Sequence, residues 1–372
     1  MGIKNNYRHT MAACYLGYIG GAITNNFAPL LFLTFQSAFG VSLDKITLLV
    51  TINFGIQLVV DLLSAKFLDK IGYRAAIVAA QLFSAAGLVG LAVLPDWLPD
   101  PYLGLLAATF LYAVGSGLNE VMISPIVEAC PTERKSASMS LLHSFYCWGH
   151  VFVVAFSTLF FAVFGVEHWR VLALIWALIP FADAFYFMRV PIAPLNASGE
   201  AMPLRKLFSV KLFWVLAVVM VCSGAAEQAM AQWASAFAEA GLRVSKTVGD
   251  LMGPCLFAAL MGVTRVFYAK FSEKVNLTMF MVGCGILSVA GYLLASLAPF
   301  PAVSLVGCAL CGLAAGIMWP GTLSLAAAKY PSGGTAMFAL LALAGDLGCS
   351  TGPTLVGAVS GAAGGDLKIG LT

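Results

Sequence analysis

Long apolar runs broken by short polar punctuation set the plan of this chain. Runs near 11–35, 46–65, 75–95, 102–127, 137–164 and 169–190, then near 212–240, 248–268, 277–298, 302–327 and 335–363, are each long enough to cross a bilayer core as a helix. Between the sixth and seventh lies a polar, turn-rich stretch from Arg189 to Lys211 containing Pro191, Pro194, Asn196, Ser198, Gly199 and Pro203. The pattern predicts an all-α polytopic membrane protein of two bundles, residues 1–188 and 212–372, joined by a cytoplasmic linker over 189–211. Five runs in the second half leave a twelfth span unseen, with the C-terminus outside and one flank of the second bundle facing lipid.

Composition agrees with the pattern. Only 10% of residues are charged and 60% are hydrophobic, against roughly 25% charged in an average soluble domain. The net charge of +3 is spread over short loops and gives no basic face for nucleic acid. Its placement orients the chain. With the N-terminus inside, Lys4, Arg8, Lys66, Lys70, Arg74, Arg134, Lys135, Arg189, Arg205, Lys206, Lys211, Arg265, Lys270, Lys274 and Lys329 fall on the cytoplasmic side. Lys45, Arg170, Arg243, Lys246 and Lys368 fall outside, a strong positive-inside bias. The nine cysteines sit mostly within apolar runs, where the thiol behaves as a small hydrophobe. Cys308 and Cys311 have metal or redox spacing but no neighbouring His or second thiol pair, so no metal site or cofactor is expected.

An internal repeat divides the chain at the linker. Ala-Lys-Phe-x-acid-Lys occurs at Ala65–Lys70 and again at Ala269–Lys274, 204 residues later, and Gly117 in the fourth run matches Gly316 in the tenth. Two parallel halves of this kind are a transporter architecture. The segment Ala65-Lys-Phe-Leu-Asp69-Lys70-Ile-Gly72-Tyr-Arg74 resembles the loop signature of the major facilitator superfamily, with Ala65 in place of its first Gly. The resemblance implies two pseudo-symmetric six-helix bundles around a central cavity, with Asp69 docking against the other half in one state of an alternating-access cycle. Lys70, Gly72 and Arg74, with Asp61 and with Arg265 and Glu273 from the second copy, complete the implied conformational switch. A solvated turn in which Asp69 pairs with Lys70 or Arg74 is the plainer reading.

Scattered positions narrow the resemblance. Asn25-Asn26, Phe35-Gln36-Ser37-Ala38-Phe39 and Glu120-x-x-x-x-Pro125 are similar to the fucose permease branch, which includes proton-linked sugar symporters and sodium-dependent glucose transporters. That branch carries an Asp three residues beyond its Asn pair, where this chain has Pro29.

Several side chains have the chemistry a polar solute needs. A sugar requires convergent amides, hydroxyls and carboxylates beside an apolar face. Asn53, Gln57, Asp61 and Ser64 make one stripe along the second run, facing a cavity or forming a packing seam of amides. Gln228, Gln232 and Ser235 share a face of the seventh run, with Glu227 and Trp233 beside them. Glu120 places a carboxylate in an apolar run, which marks a functional acid or one bonded to Ser116 and Ser124. His143 and His150, with Cys147 between them on one face, are proton shuttles or neighbour-helix hydrogen-bond partners. Asp346 among Gly345, Gly348 and Gly352 is a possible partner for a buried base or cation. Gly17, Gly21, Thr24 and Ala28 form a small-residue seam, and Trp319-Pro320 is a kink or a gate.

The reading is a plasma-membrane, monomeric secondary transporter for a hexose or deoxyhexose, coupled to H+ or Na+, with surrounding lipid as its other partner. Asn25, Asn26, Asn53, Gln57, Glu120, Gln228, Gln232 and Trp233 are its candidate ligands; Glu120, His143, His150, Glu227 and Asp346 are its candidate coupling groups. The alternatives are an exporter of drugs or metabolites and a transport-inactive sensor or scaffold, and no catalytic constellation points to an enzyme. Glu120→Gln is expected to leave solute exchange intact and abolish concentrative uptake in proteoliposomes; undiminished accumulation would remove Glu120 from the coupling set.

Overall fold

The computed structural model describes residues 6–131, 135–193, 204–271, 274–330 and 334–372, with backbone alone at 65–70, 128, 135–137, 139, 140, 204, 206, 269, 327, 334–336, 338 and 339. Helix is the regular secondary structure of these segments, with short turns between. Contacts divide the chain into Met1–Asn196 and Ala197–Thr372.

The first unit contains α1 (Tyr7–Asn26), α2 (Phe32–Phe39), α3 (Leu43–Ile71), α4 (Tyr73–Trp97), α5 (Pro101–Ala129), α6 (Lys135–Phe164) and α7 (Trp169–Arg189). The expected first span is not continuous. A 3-10 turn over Ala28–Leu31 interrupts it, because Pro29 has no N–H to give the carbonyl of Asn25 four residues back. The join between α3 and α4 is Gly72 alone, at φ +85, a region that L side chains rarely enter. Asp100 caps α5 through the N–H of Tyr102, with Pro101 at the first turn. Within this unit α4 packs on α5 and α7, α3 on α5, and α1 on α5, α6 and α7.

The second unit contains α8 (Leu204–Phe208), α9 (Lys211–Ala236), α10 (Lys246–Asp250), α11 (Leu256–Phe271), α12 (Leu277–Leu297), α13 (Pro301–Lys329), α14 (Gly334–Ala362) and α15 (Leu367–Leu371). Its packing repeats that of the first: α12 lies on α13, α11 on α13, and α9 on α13 and α14. π-turns over Phe237–Gly241 and Leu251–Cys255 break the regular helix on either side of α10. α13 continues through Pro320, the residue read as a kink or a gate. The Trp319 ring seats over Gly345 of α14. Ten helical segments among the described residues have the length and apolarity to cross a membrane, and α14 has comparable length.

Small residues explain how closely these helices approach. A Cβ on Gly348 would be built onto the carbonyl oxygen of Val221, one on Gly224 onto that of Gly345, and one on Gly352 onto that of Ala225. In the first unit Gly87 sits against the Tyr112 backbone and Gly115 against Ser84 and Ala80. Lipid offers no hydrophobic drive between helices, so such seams supply the van der Waals contact that holds a bundle together.

The internal repeat is geometrically faithful. Gly117 of α5 rests on Gln57 and Val60 of α3, while Gly316 of α13 rests on Met261 and Thr264 of α11, each contact partner again 204 residues on. One side differs: α4 is covered by α5 and α7, whereas α12 exposes Met279, Val282, Ile286 and Val289.

Gly348→Ala is expected to cost about 1–3 kcal/mol through overpacking, seen as a lowered thermal midpoint in detergent. The same change at Gly283, whose Cβ position meets nothing, is the control and should leave the midpoint unchanged.

Candidate functional site

Each unit holds one buried polar cluster. In the first, Asn25 comes from the last turn of α1, where Pro29 ends the helix, and projects between α3 and α5. Its Nδ2 donates to Ser116 Oγ at 3.1 Å, and its Oδ1 accepts from Gln57 Nε2 at 3.2 Å and Asn53 Nδ2 at 3.4 Å. Gln57 Nε2 also lies 3.1 Å from Asn53 Oδ1. All three amides are buried. Buried amides are stable in an apolar bundle only when paired with one another. The same arrangement gives a solute hydroxyl both donors and acceptors to exchange with.

The rest of the expected stripe follows. Ser64 is buried and Asp61 half-buried. Asn26 turns to the other side of α1, donating to the Ala22 carbonyl at 2.9 Å and lying 3.4 Å from Tyr146 Oη. His143 packs edge-on against Tyr18 at 5.5 Å between ring centres, and His150 is buried one turn beyond Tyr146. Glu120 is exposed. Its two neighbouring hydroxyls face α1: Ser116 accepts from Asn25, and Ser124 lies 3.0 Å from Tyr18 Oη.

A second amide pair escaped the sequence reading. Asn119, directly before Glu120, is buried; it accepts from Gln81 Nε2 at 2.6 Å and donates to the Gly17 carbonyl at 2.7 Å. The carboxylate drew attention and the adjacent amide, on the inward face of α5, did not. Gly17 belongs to the expected small-residue seam, and its missing side chain leaves the space that Ile123, Gln81 and Asn119 fill.

In the second unit Gln228 and Gln232 are buried on one face of α9, the two amides 3.4 Å apart. Glu227 meets Arg265 of α11 at 3.8 Å, an ion pair with both side chains largely buried. Arg265 Nε also donates to the Gly316 carbonyl at 3.2 Å. The sequence reading placed Glu227 and Arg265 in separate roles; they act on each other. Trp233, expected as a ligand, is fully enclosed, and its N–H donates to the Pro353 carbonyl at 2.9 Å. It anchors α9 to α14. Ser235 joins an unforeseen group, donating to Asp250, which also meets Lys246 at 3.1 Å. Lys246 and Asp250 are one turn apart on α10, a spacing visible in the sequence only once a helix is known to start at Lys246.

Of the implied switch residues, Gly72 supplies the positive-φ turn and Arg74 Nη1 donates to the Phe187 carbonyl at 2.6 Å, tying α4 to α7. The side chains of Asp69 and Lys70, and the whole of Glu273, lie outside the described residues. Asp346 is half-buried on α14. All nine cysteines are free.

Comparison with known proteins bears on the whole chain. The family model described as Major Facilitator Superfamily matches residues 14–353, and no curated protein matches by sequence. Among solved structures, the chain is similar to a bacterial homolog of the human lysosomal transporter Spinster in an inward-facing, occupied conformation: TM-score 0.77, 18% identity, 97% of this chain and 83% of that one. It is similar to the Escherichia coli fucose:proton symporter, with a TM-score of 0.67, 18% identity and coverage of 98% and 95%. It is also similar to a D-xylose-proton symporter, at 0.74, 14%, 94% and 90%. At these identities the likeness is one of fold.

Removing one partner of the Glu227–Arg265 pair leaves a buried charge uncompensated, so Arg265→Met is expected to destabilise by about 3–5 kcal/mol. The double change Glu227→Leu with Arg265→Met should recover most of that loss in a thermal melt. Equal loss in single and double variants would show that the pair does not couple.

Proposed function

Because the chain belongs to the Major Facilitator Superfamily, we propose that this membrane transporter carries a hexose or deoxyhexose by alternating access, with H+ or Na+ as the co-transported cation. The observation that carries this reading is the cluster of Asn25, Asn53, Gln57 and Ser116, four neutral hydrogen-bonding side chains from three helices of one unit. Neutral amides and hydroxyls match the alternating donors and acceptors of sugar hydroxyls without the cost of matching a charge. Gln228 and Gln232 offer the same chemistry in the second unit.

Coupling falls to the acids. Glu120 is the exposed one, and Glu227 is held by Arg265. A cation reaching either carboxylate changes which partner it keeps, and that shifts the balance between two conformations by the difference in binding free energy. Two sugar symporters are among the solved structures of like fold, and that likeness prompts this choice of solute. Import, a plasma-membrane location and a cytoplasmic N-terminus belong to the same proposal, the last supported by the loop charges.

The test is uptake of a labelled sugar panel by proteoliposomes under a proton gradient, a sodium gradient, or neither. Accumulation of one sugar under one gradient is expected, and Gln57→Leu should raise its KM by about tenfold, the scale of one or two lost hydrogen bonds. No sugar accumulating under any gradient would move the assignment to export of another solute.

A further inference from the structure

Asp183 belongs to no group described so far. It lies on the buried face of α7 in the series Trp176, Ala177, Pro180, Asp183, Ala184 and Phe187, and its residue is fully enclosed. Neither carboxyl oxygen has a hydrogen-bond partner. A charged carboxylate sealed among apolar side chains with no donor or cation is among the costliest arrangements a bundle can contain. We infer that Asp183 is a proton-binding site of the transport cycle, loaded in the conformation described and emptied to water in another.

The surroundings fit a proton better than a metal cation. α7 packs on α1 and α4. The Cys14 thiol of α1 and, from α7 itself, the Tyr186 phenol are within electrostatic reach of Asp183. Tyr186 Oη is held by His9 Nδ1 at 2.7 Å, and Arg74 of α4 is engaged by the Phe187 carbonyl one turn away. A hard cation such as sodium needs several oxygen ligands around it, and this wall offers a thiol, one phenol already held by His9, and hydrocarbon. A proton needs only the carboxyl oxygen. It arrives from water, forms the O–H bond, and leaves to water.

A path of packed residues, polar only from Gln81 onward, leads from the neighbourhood of Asp183 toward the amide cluster. Pro180, one turn from Asp183, and Gln81 Oε1 both approach Gly20. Gln81 is bound to Asn119, Asn119 lies one turn from Ser116 on α5, and Ser116 is bound to Asn25. Ionised Asp183 must draw in a donor or water, since Tyr186 and Arg74 are held by His9 and the Phe187 carbonyl. Either change disturbs the packing of α7 on α1 and α4, where Gln81 and Asn119 border Ser116 and Asn25, and that links the proton to the solute. That link rests on the reading of the amide cluster as the solute site; the proton site does not.

Two measurements keep the parts separate. Infrared difference spectra of purified wild type minus Asp183→Asn should show the carbonyl band of a protonated carboxyl that fades on alkalinisation. In proteoliposomes Asp183→Asn should keep counterflow exchange but lose proton-driven accumulation by about tenfold, within the usual range of site-to-site coupling. Asp183→Glu should retain the band and part of the accumulation, and it serves if the Asn variant does not fold. Absence of the band overturns the proton site. Its presence with undiminished accumulation overturns the coupling. If no sugar accumulates in the wild type, the solute assignment fails while the infrared titration still decides for or against Asp183.

Discussion

A polar side chain that enters a bilayer has to bring its hydrogen-bond partners with it, because the surroundings supply none. That constraint organises the interior of both units. Asn25 is held from α3 and α5, Asn119 from α1 and α4, Glu227 from α11, and Asp250 from α9 and its own helix turn. Each polar group is a fixed point where two or three helices must agree in height and rotation. The glycine and alanine seams let the helices come close enough for those points to meet. Packing and polar pairing are thus two aspects of one requirement.

The same constraint makes the clusters usable. In the proposed transport role, a group that is already paired gives up one bond and gains another when a solute arrives, so the exchange is nearly balanced and small differences in affinity can drive it. The irregular helix ends lie where this matters. The 3-10 turn follows Asn25 and Asn26, and the first π-turn follows Gln232 and Ser235. Departures from regular helix at such places are common at functional sites.

Much of the architecture was legible in the sequence, because a span announces itself by length and apolarity whatever it packs against. The repeat at Lys66 and Lys270 gave the two halves, and Asn53 and Gln57 were found because lipid excludes such a stripe. What stayed hidden depended on rotation about a helix axis. Asn119 and Glu120 are neighbours in sequence, yet one is buried and the other exposed. Trp233 beside Gln232 has the composition of a ligand and the surroundings of a wedge. Asp183 was invisible as an isolated acid near the end of a run, since nothing in sequence spacing tells which wall it faces.

The single-residue join at Gly72 has a mechanical meaning. Helices α3 and α4 meet there with no slack, and two residues on, Arg74 pins α4 to the end of α7. A tilt imposed on α3, which carries Asn53 and Gln57, cannot be absorbed by a loose loop and passes to α4 and α7 as a torque. The helix that carries these amides and the helix bearing Asp183 then behave as arms of one lever, with its fulcrum at the Gly72 turn.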